Sequence, residues 1–151
     1  MAKRNKSSAF RSPLEEFTQK ALDRAGLKFE YEKDVYLLQP SFTSPHEIIE
    51  WKGVKEIKQT KIRKITYTPD FTGEGWVIEV KGHRTNEFNI KWKLFKYLIQ
   101  KEKPMFICLP RNQKQVIECV NRIICLKDTK KKKRLARSKN TMLPSECQTV
   151  S

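Results

Sequence analysis

The sequence lacks the residue patterns that mark a zinc site, a secreted chain or a membrane span. None of its four cysteines forms a C-x-x-C pair, and its two histidines are not spaced with them as zinc ligands. Three cysteines lie in apolar runs and are typical of buried thiols: Cys108, Cys119 and Cys125. No secretory signal pattern occurs, and no apolar run approaches the ~20 residues of a membrane span. We therefore expect an intracellular, cytoplasmic protein with no membrane partner.

Acidic residues are few compared with basic ones, and this imbalance indicates an anionic partner. The 151 residues include 32 Lys and Arg but only 17 Asp and Glu, which gives a net charge of +15. A soluble protein of this charge most often binds nucleic acid, and less often an anionic membrane. The length is typical of a single domain.

Much of the positive charge lies at the two ends of the chain. Residues 1–8 carry three basic and no acidic residues, and residues 127–151 carry eight basic and two acidic ones. We expect both segments to be disordered and the folded domain to span residues 9–126. Lysines of the second segment are candidates for nucleic-acid contacts, although such runs also aid solubility or act as nuclear-type signals. These candidates are Lys130, Lys131, Lys132 and Lys133.

Hydrophobic periodicity predicts an α/β protein with the element order αβββαβα. The first helix begins after Ser12 with Pro13 and ends at Gly26, which are typical residues for these cap positions. The later elements are three strands, a helix, a strand and a helix, predicted at residues 27–40, 61–71, 76–82, 86–102, 104–110 and 112–124. Residues 40–60 form an excursion that holds a short strand at 46–51.

Apolar spacing indicates which faces of the later elements are buried. The helix at 86–102 has four apolar residues that we expect in the core rather than stacked on bases: Phe88, Trp92, Phe95 and Ile99. Its other side carries lysines that form either a phosphate-binding face or a solvated one: Lys91, Lys93 and Lys96. The wholly apolar strand at 104–110 suits the interior of a sheet. The last helix is expected to bury Val116, Ile117, Val120 and Ile124.

The segment YTPDFTGEGWVIEVKG, residues 67–82, predicts a hairpin with charged side chains on one face. Residues two apart in a strand share a face, so Glu79 and Lys81 point the same way, opposite to the apolar residues between them. A two-residue turn at 74–75 places Asp70 opposite Glu79, roughly 5 Å apart at Cβ. A three-residue turn would shift this register by one residue.

The carboxylates of Asp70 and Glu79 together predict a metal site. Two close carboxylates repel each other, and Mg²⁺ is bound in proteins through one or two carboxylates, waters and substrate phosphate. A lysine beside them can orient water or stabilise charge on the phosphate, as phosphodiester hydrolysis requires. The alternative is an ion pair of Lys81 on a solvated sheet face. The Val/Ile-rich strand, the preceding Pro-Asp and the basic composition favour catalysis.

The sequence spacing supports two roles for Glu15 equally, a helix cap and a metal ligand. Ser12-x-x-Glu15 is a capping box, in which the glutamate reaches back to the Ser12 N–H. On a helical wheel Glu15 also lies beside the apolar face, whereas Glu16 points nearly opposite. Glu15 is therefore the acidic residue of this helix that could reach a metal site on the sheet.

FRSPLE, YTPDF and IEVKG together resemble the motifs of the PD-(D/E)XK nuclease superfamily, and especially those of the phage endonuclease I family of Holliday junction resolvases. LQP, ITYTPDF, IEVKGHRTNEF and KWKLFKYL also resemble a family of phage and prophage endonuclease-like proteins. The resemblance covers residues 9 to about 109, and the order of the motifs agrees.

The resemblance implies a restriction-endonuclease-like core, a mixed central sheet flanked by helices, that cleaves DNA with Mg²⁺, for which Mn²⁺ can substitute. It implies that Asp70, Glu79 and the Val80 carbonyl bind the metal. It also implies that Lys81 positions water or stabilises charge, and that Glu15 is the acidic residue supplied by a helix.

We therefore expect a metal-dependent DNA endonuclease, with Holliday junctions or other branched DNA as the first candidate substrate. Cutting a junction requires two coordinated incisions, so a homodimer is expected. The alternatives are an endonuclease of ordinary duplex DNA and a noncatalytic nucleic-acid-binding protein that retains the fold. His83 and Arg84 follow the motif and contact either phosphate or solvent. If the chain is phage-encoded, its compartment is the host cytoplasm.

Overall fold

Three α-helices organise the fold in the computed structural model, which describes residues 10–140. They are α1 (Pro13–Arg24), α2 (Asn86–Ile99) and α3 (Gln113–Asn140). Ser12 caps α1 as predicted, and Gly26 follows the helix with a left-handed φ of 62°. In the described part of the chain, no helix has the length and apolar character needed to cross a membrane.

Ten short strands accompany the helices within the described residues. They are β1 (Glu30–Tyr31), β2 (Tyr36–Gln39), β3 (Phe42–Thr43), β4 (Ile49–Lys52), β5 (Lys55–Lys58), β6 (Lys61–Ile62), β7 (Ile65–Tyr67), β8 (Phe71–Gly73), β9 (Trp76–Ile78) and β10 (Phe106–Cys108). Four of them form the central mixed sheet in the order β1-β8-β9-β10, with β10 parallel to β9 and the other neighbours antiparallel. The predicted α/β class is therefore confirmed.

The β8–β9 hairpin has the two-residue turn that the sequence predicts. Phe71 pairs with Ile78, and Gly73 pairs with Trp76, so Glu74 and Gly75 form the turn. Gly75 has a φ of 79°, a conformation that glycine adopts without steric cost. This register brings Asp70 level with the residue that follows β9.

Helices cover both faces of the central sheet. On one face, α1 and α3 pack their apolar residues, including Leu22 and Ile123, against Phe71 and Ile78. On the other face, Val77 and Tyr67 pack against the four predicted core residues of α2, all of which are buried: Phe88, Trp92, Phe95 and Ile99. The core prediction for this helix is confirmed.

Residues 36–67 form a ribbon, and its outer part, residues 40–64, is here called the β-arm. Three antiparallel pairs follow one another from the sheet side outward: β2–β7, then β3–β6, then β4–β5. The first pair packs against α2, whereas β3, β4 and β5 are exposed along their whole length. The predicted excursion is thus a ribbon, and the short strand expected near residues 46–51 corresponds to β4.

Three strand predictions are wrong in detail. The strand expected at 61–71 is divided among β6, β7 and the first residue of β8, and residues 63–64 and 68–70 belong to no strand. The strand expected at 27–40 is split into β1 and β2, because the chain bends at Glu32, which has a φ of 45°, and β2 joins β7 outside the central sheet. The strand expected in the interior of the sheet is β10, which lies at an edge. Its apolar residues are half-buried by the helices rather than enclosed between strands.

The last helix also differs from expectation. Residues 127–140, which we expected to be disordered, continue α3, while residues 1–8 and 141–151 lie outside the described residues. Val116 and Val120 are buried as predicted, but Ile117 is exposed and Ile123 takes the inward position. Cys108 and Cys119 are paired between β10 and α3, and Cys125 is exposed, so the expectation of three buried thiols is wrong.

Candidate active site

Asp70 and Glu79 meet at the open end of the β8–β9 hairpin. Asp70 Oδ2 accepts a hydrogen bond of 2.7 Å from the Val80 N–H, and Glu79 Oε2 accepts one of 3.3 Å from the Asp70 N–H. Both residues are buried, Asp70 with 9% and Glu79 with 2% of their surface exposed. The two carboxyl groups are therefore held by backbone donors at one small, largely dry position.

Tyr67 and Lys81 complete this cluster. The Tyr67 hydroxyl donates a hydrogen bond of 2.7 Å to Glu79 Oε2, and Lys81 Nζ lies 3.5 Å from Glu79 Oε1. The Lys81 ammonium also stands 5.0 Å from the centre of the Phe88 ring, so α2 fixes its direction. We call Asp70, Glu79, Lys81 and Tyr67 the carboxylate cluster.

Burial controls the protonation of the carboxylate cluster. It raises the pKa of Asp70 from 3.8 to about 7, with a further contribution from the charge of Glu79 and opposition from the Val80 N–H. Burial also raises the pKa of Glu79, although the Tyr67 hydroxyl and Lys81 oppose this shift. Desolvation disfavours the charged form of both acids, and a bound cation would offset that cost.

The alternative of an ion pair on a solvated sheet face does not fit this environment. The face that carries Glu79 is covered by α2, and Val77 on the same face is buried. A buried ion pair gains little stability over an apolar pair, since desolvation offsets the attraction between the charges. Stability alone therefore gives no reason for these polar residues in the core.

Glu15 occupies the cap position and not the carboxylate cluster. Its Oε1 accepts a hydrogen bond of 2.9 Å from the Ser12 hydroxyl, and its Oε2 accepts one of 3.1 Å from the Arg11 N–H and one of 2.7 Å from the Tyr31 hydroxyl. The backbone N–H that bonds the Glu15 carboxylate is therefore that of Arg11, and not that of Ser12 as the capping box predicts. Glu15 is close enough for its charge to raise the pKa of Asp70, but no hydrogen bond links the two.

The donor set fits a small hard cation. Among residues 10–140 no group of three or more His, Cys, Asp and Glu side chains is arranged as a metal cage. Mg²⁺ does not need one, because it commonly binds one or two carboxylates and completes its octahedron with water and phosphate. Within the same residues Asp70 Oδ1 accepts no hydrogen bond, and Glu79 Oε1 has only the contact with Lys81.

The residues predicted to contact nucleic acid lie in two regions of the structure, one along the loop before α2 and α2 itself, the other on α3. His83 and Arg84 are exposed in the loop between Lys81 and α2, next to the carboxylate cluster. Further along α2, Lys93 and Lys96 are exposed. Lys91 forms an ion pair of 2.7 Å with Glu87 and is therefore partly neutralised.

The lysines of α3 lie at the other end of the sheet. Lys130 Nζ lies against Gly75 in the hairpin turn, whereas the carboxylate cluster lies at the open end. A concave surface beside this turn is lined by Glu74 and by basic side chains: Lys127, Lys130, Lys131, Lys133 and Arg134. Lys130, Lys131 and Lys133 therefore lie away from the carboxylate cluster, and their contact with nucleic acid stays a prediction, as does that of Lys132.

Two tyrosines to which the sequence assigned no role bind predicted site residues, Tyr67 in the carboxylate cluster and Tyr31 at Glu15 in the helix cap. Tyr67 donates to Glu79, and Tyr31 donates to Glu15. Their burial raises the pKa of both hydroxyl groups, so they remain donors at neutral pH. Tyr67 lies on a predicted strand three residues before Asp70, where a polar aromatic side chain facing a core needs a partner. This need for a hydrogen-bond partner is the feature of the sequence that could have identified Tyr67 as a site residue.

Comparison with known proteins gives a family but no activity. No curated protein and no solved structure matches the chain. One family, described as "Protein of unknown function (DUF1064)", matches residues 13–115. The matched segment begins with α1, ends in α3 and contains Glu15, Asp70, Glu79 and Lys81. Since it covers well over half of the sequence, the chain belongs to the DUF1064 family.

Proposed function

We propose that this protein is a metal-dependent DNA endonuclease with a restriction-endonuclease-like core of the PD-(D/E)XK type. The observation that carries the proposal is the buried pair of Asp70 and Glu79 with Lys81 beside it. A mixed four-stranded sheet with helices on both faces is compatible with that core. The resemblance of YTPDF and IEVKG to the superfamily motifs adds support.

Asp70 and Glu79 would hold Mg²⁺, with Mn²⁺ as a substitute, through the oxygens that their hydrogen bonds leave open. Bound there, the cation would supply charge for the scissile phosphate and a water of lowered pKa. The Val80 N–H and the Tyr67 hydroxyl keep the two carboxylates in fixed orientations. Such preorganisation matters because ligands held in place need little rearrangement during the reaction.

Lys81 would act on the phosphate rather than on the metal. Its ammonium is half-exposed and stands beside Glu79, where an incoming phosphodiester would bring negative charge. From that place it would orient the attacking water or stabilise charge on the phosphoryl oxygens. Glu15, held in the cap by three hydrogen bonds, would contribute its charge at longer range. The Val80 carbonyl stays a predicted ligand.

DNA is the proposed substrate because the chain is strongly basic. The net charge is +15, and exposed basic residues lie in the loop after Lys81, at His83 and Arg84, and further along α2, at Lys93 and Lys96. Branched or junction DNA remains the first candidate, on the likeness to junction resolvases, together with a homodimer that would make paired cuts. Cleavage of ordinary duplex DNA and binding without cleavage are the competing functions.

A cleavage panel tests the proposal. Purified protein with Mg²⁺ is incubated with a four-way junction, a flap, nicked duplex, linear duplex and single-stranded DNA. We expect cleavage that falls on the order of 100-fold or more in Lys81→Ala and Asp70→Asn, because each removes a group acting on the reacting phosphate. Asp23→Asn and Lys101→Ala, both at exposed residues outside the carboxylate cluster, serve as matched controls.

Each outcome of the panel separates the competing functions. Equal activity in Lys81→Ala and wild type would refute the site. Cleavage of linear duplex as readily as junctions would exclude a junction resolvase and leave the nuclease. Binding without cleavage in Mg²⁺ or Mn²⁺ would favour the noncatalytic alternative.

A further inference from the structure

The β-arm is an exposed ribbon that the rest of the fold does not cover. Both faces of β4 and β5 are open, and these two strands pack chiefly on each other. Large apolar side chains lie at its tip: Trp51 is 66% exposed and Val54 is fully exposed. Two-stranded ribbons are at best marginally stable alone in water, so this one is well suited to act against a partner.

The charge of the β-arm indicates what that partner is. Residues 40–64 contain six basic and three acidic residues. Lys52 and Lys55 are directly opposite each other across the ribbon, an arrangement that repels and destabilises the pair. Lys58 pairs with Glu47 at 3.7 Å. Within residues 10–140, the remaining basic side chains of the arm form no ion pair: Lys52, Lys55, Lys61, Arg63 and Lys64.

We propose that the β-arm binds duplex DNA by lying in a groove beside the cleavage site. An anionic backbone would relieve the repulsion between Lys52 and Lys55, and the major groove, about 12 Å wide, admits a two-stranded β-ribbon. A second copy of this chain is a poorer partner for the β-arm, because each copy carries a net charge of +15 and the two would repel each other. The inference rests on the proposed function only in identifying the DNA as the substrate that is cut.

The position of the arm sets how far it reaches along the DNA. β7 joins the arm to Tyr67, whose hydroxyl bonds Glu79, so the arm starts at the carboxylate cluster. Extended at about 3.3 Å per residue, the chain from Val54 to Tyr67 spans at most roughly 40 Å. That length is a little more than one turn of duplex, about 34 Å. The arm would therefore protect about one helical turn on one side of the cut.

Binding to a labelled duplex of about 30 base pairs, close to three helical turns, tests the inference. Fluorescence anisotropy in EDTA measures affinity without cleavage. We expect the double variant Lys52→Glu/Lys55→Glu to weaken binding on the order of 10-fold at ~0.1 M salt. The milder Lys52→Gln/Lys55→Gln should reduce the slope of log affinity against log salt by about 2. The control is Lys101→Glu/Lys103→Glu, on an exposed loop, with little effect expected.

The outcomes distinguish this inference from the proposed function. Duplex binding that weakens in the Lys52/Lys55 variants but not in the control supports the inference even if no DNA is cut. Unchanged duplex affinity in both arm variants overturns it, even if cleavage by the wild type is strong. A change from dimer to monomer in light scattering, without loss of duplex affinity per site, also overturns it, since the arm would then join two copies.

Discussion

At the scale of single residues, hydrogen bonds and burial have opposite effects on the pKa values of the two site carboxyl groups. Burial raises the pKa of Asp70 and Glu79, and each donor that reaches them opposes the rise. Tyr67 is the clearest case, because its hydroxyl lies in the core and reaches Glu79 at 2.7 Å. A buried donor without a partner would cost free energy, so Tyr67 and Glu79 require each other.

The pKa of Asp70 predicts an unusual pH dependence of stability in the metal-free protein. Its pKa is about 7 in the folded chain, compared with the ordinary value of 3.8 that applies to the unfolded chain. At pH values between these two, the folded state therefore binds more protons than the unfolded state. The free energy of unfolding should therefore fall as pH rises from about 4 to 7, by roughly 1–4 kcal/mol. Glu79 shifts in the same direction and adds to the fall.

Denaturant unfolding at several pH values between 4.5 and 8 measures this slope. Asp70→Asn should flatten it and make the protein more stable than wild type at pH 8, because no charge is then forced into the core. Asp23→Asn, on the exposed side of α1, should leave the slope unchanged. A wild-type stability that rises with pH in this window would contradict the assigned direction.

At the scale of elements, the β8–β9 hairpin sets the register of the site and depends on a close approach at Gly73. A Cβ at Gly73 would overlap the indole ring of Trp76, its partner across the hairpin. Gly73→Ala should therefore destabilise the protein by roughly 1–3 kcal/mol, as other overpacked core positions do. Thermal or denaturant unfolding measures the change.

Gly82→Ala is the matched control, because a Cβ there would meet nothing within 4 Å. It should change the free energy of unfolding by less than about 0.5 kcal/mol. Equal stability of the two variants would mean that Trp76 moves away at little cost, and that Gly73 does not fix the register.

The elements also show what the sequence can predict and what it cannot. Turn chemistry and alternation are local, so Glu74-Gly75 predicts the hairpin register and hence the meeting of Asp70 with Glu79. Neighbours in a sheet are not local, so the apolar run of β10 gives no sign that it lies at an edge. The lysine run after residue 127 indicates a solvated tail, yet lysine is a good helix former and extends α3.

The covering of Glu79 by α2 is the least predictable part of the site. Alternation correctly places Glu79 and Lys81 on one face, but it cannot say whether that face meets water or a helix. The amphipathic spacing of α2 predicts a buried stripe without naming the surface it buries. The tertiary contact decides the chemistry, because it desolvates Glu79 and directs Lys81 toward Phe88.

At the scale of the whole molecule, two exposed basic surfaces lie outside the carboxylate cluster, whose own cation is Lys81. The β-arm extends from the carboxylate cluster through β7, whereas the basic surface of α3 lies at the hairpin turn. The hairpin turn lies the length of β9 and its flanks from the carboxylate cluster, roughly 16 Å at about 3.3 Å per residue.

The α3 lysines are therefore expected to bring DNA to the protein without taking part in cleavage. Replacing Lys130, Lys131, Lys132 and Lys133 by Gln should weaken binding and reduce the salt slope by up to about 4, since each phosphate contact contributes about 0.9. The cleavage rate at saturating DNA should stay within about 3-fold of wild type, because the groups lie far from the reacting phosphate. A variant with the same charge loss elsewhere, Lys20, Lys28, Lys101 and Lys103 to Gln, separates local contacts from net charge. Equal loss of affinity in both variants would show that only the total charge matters.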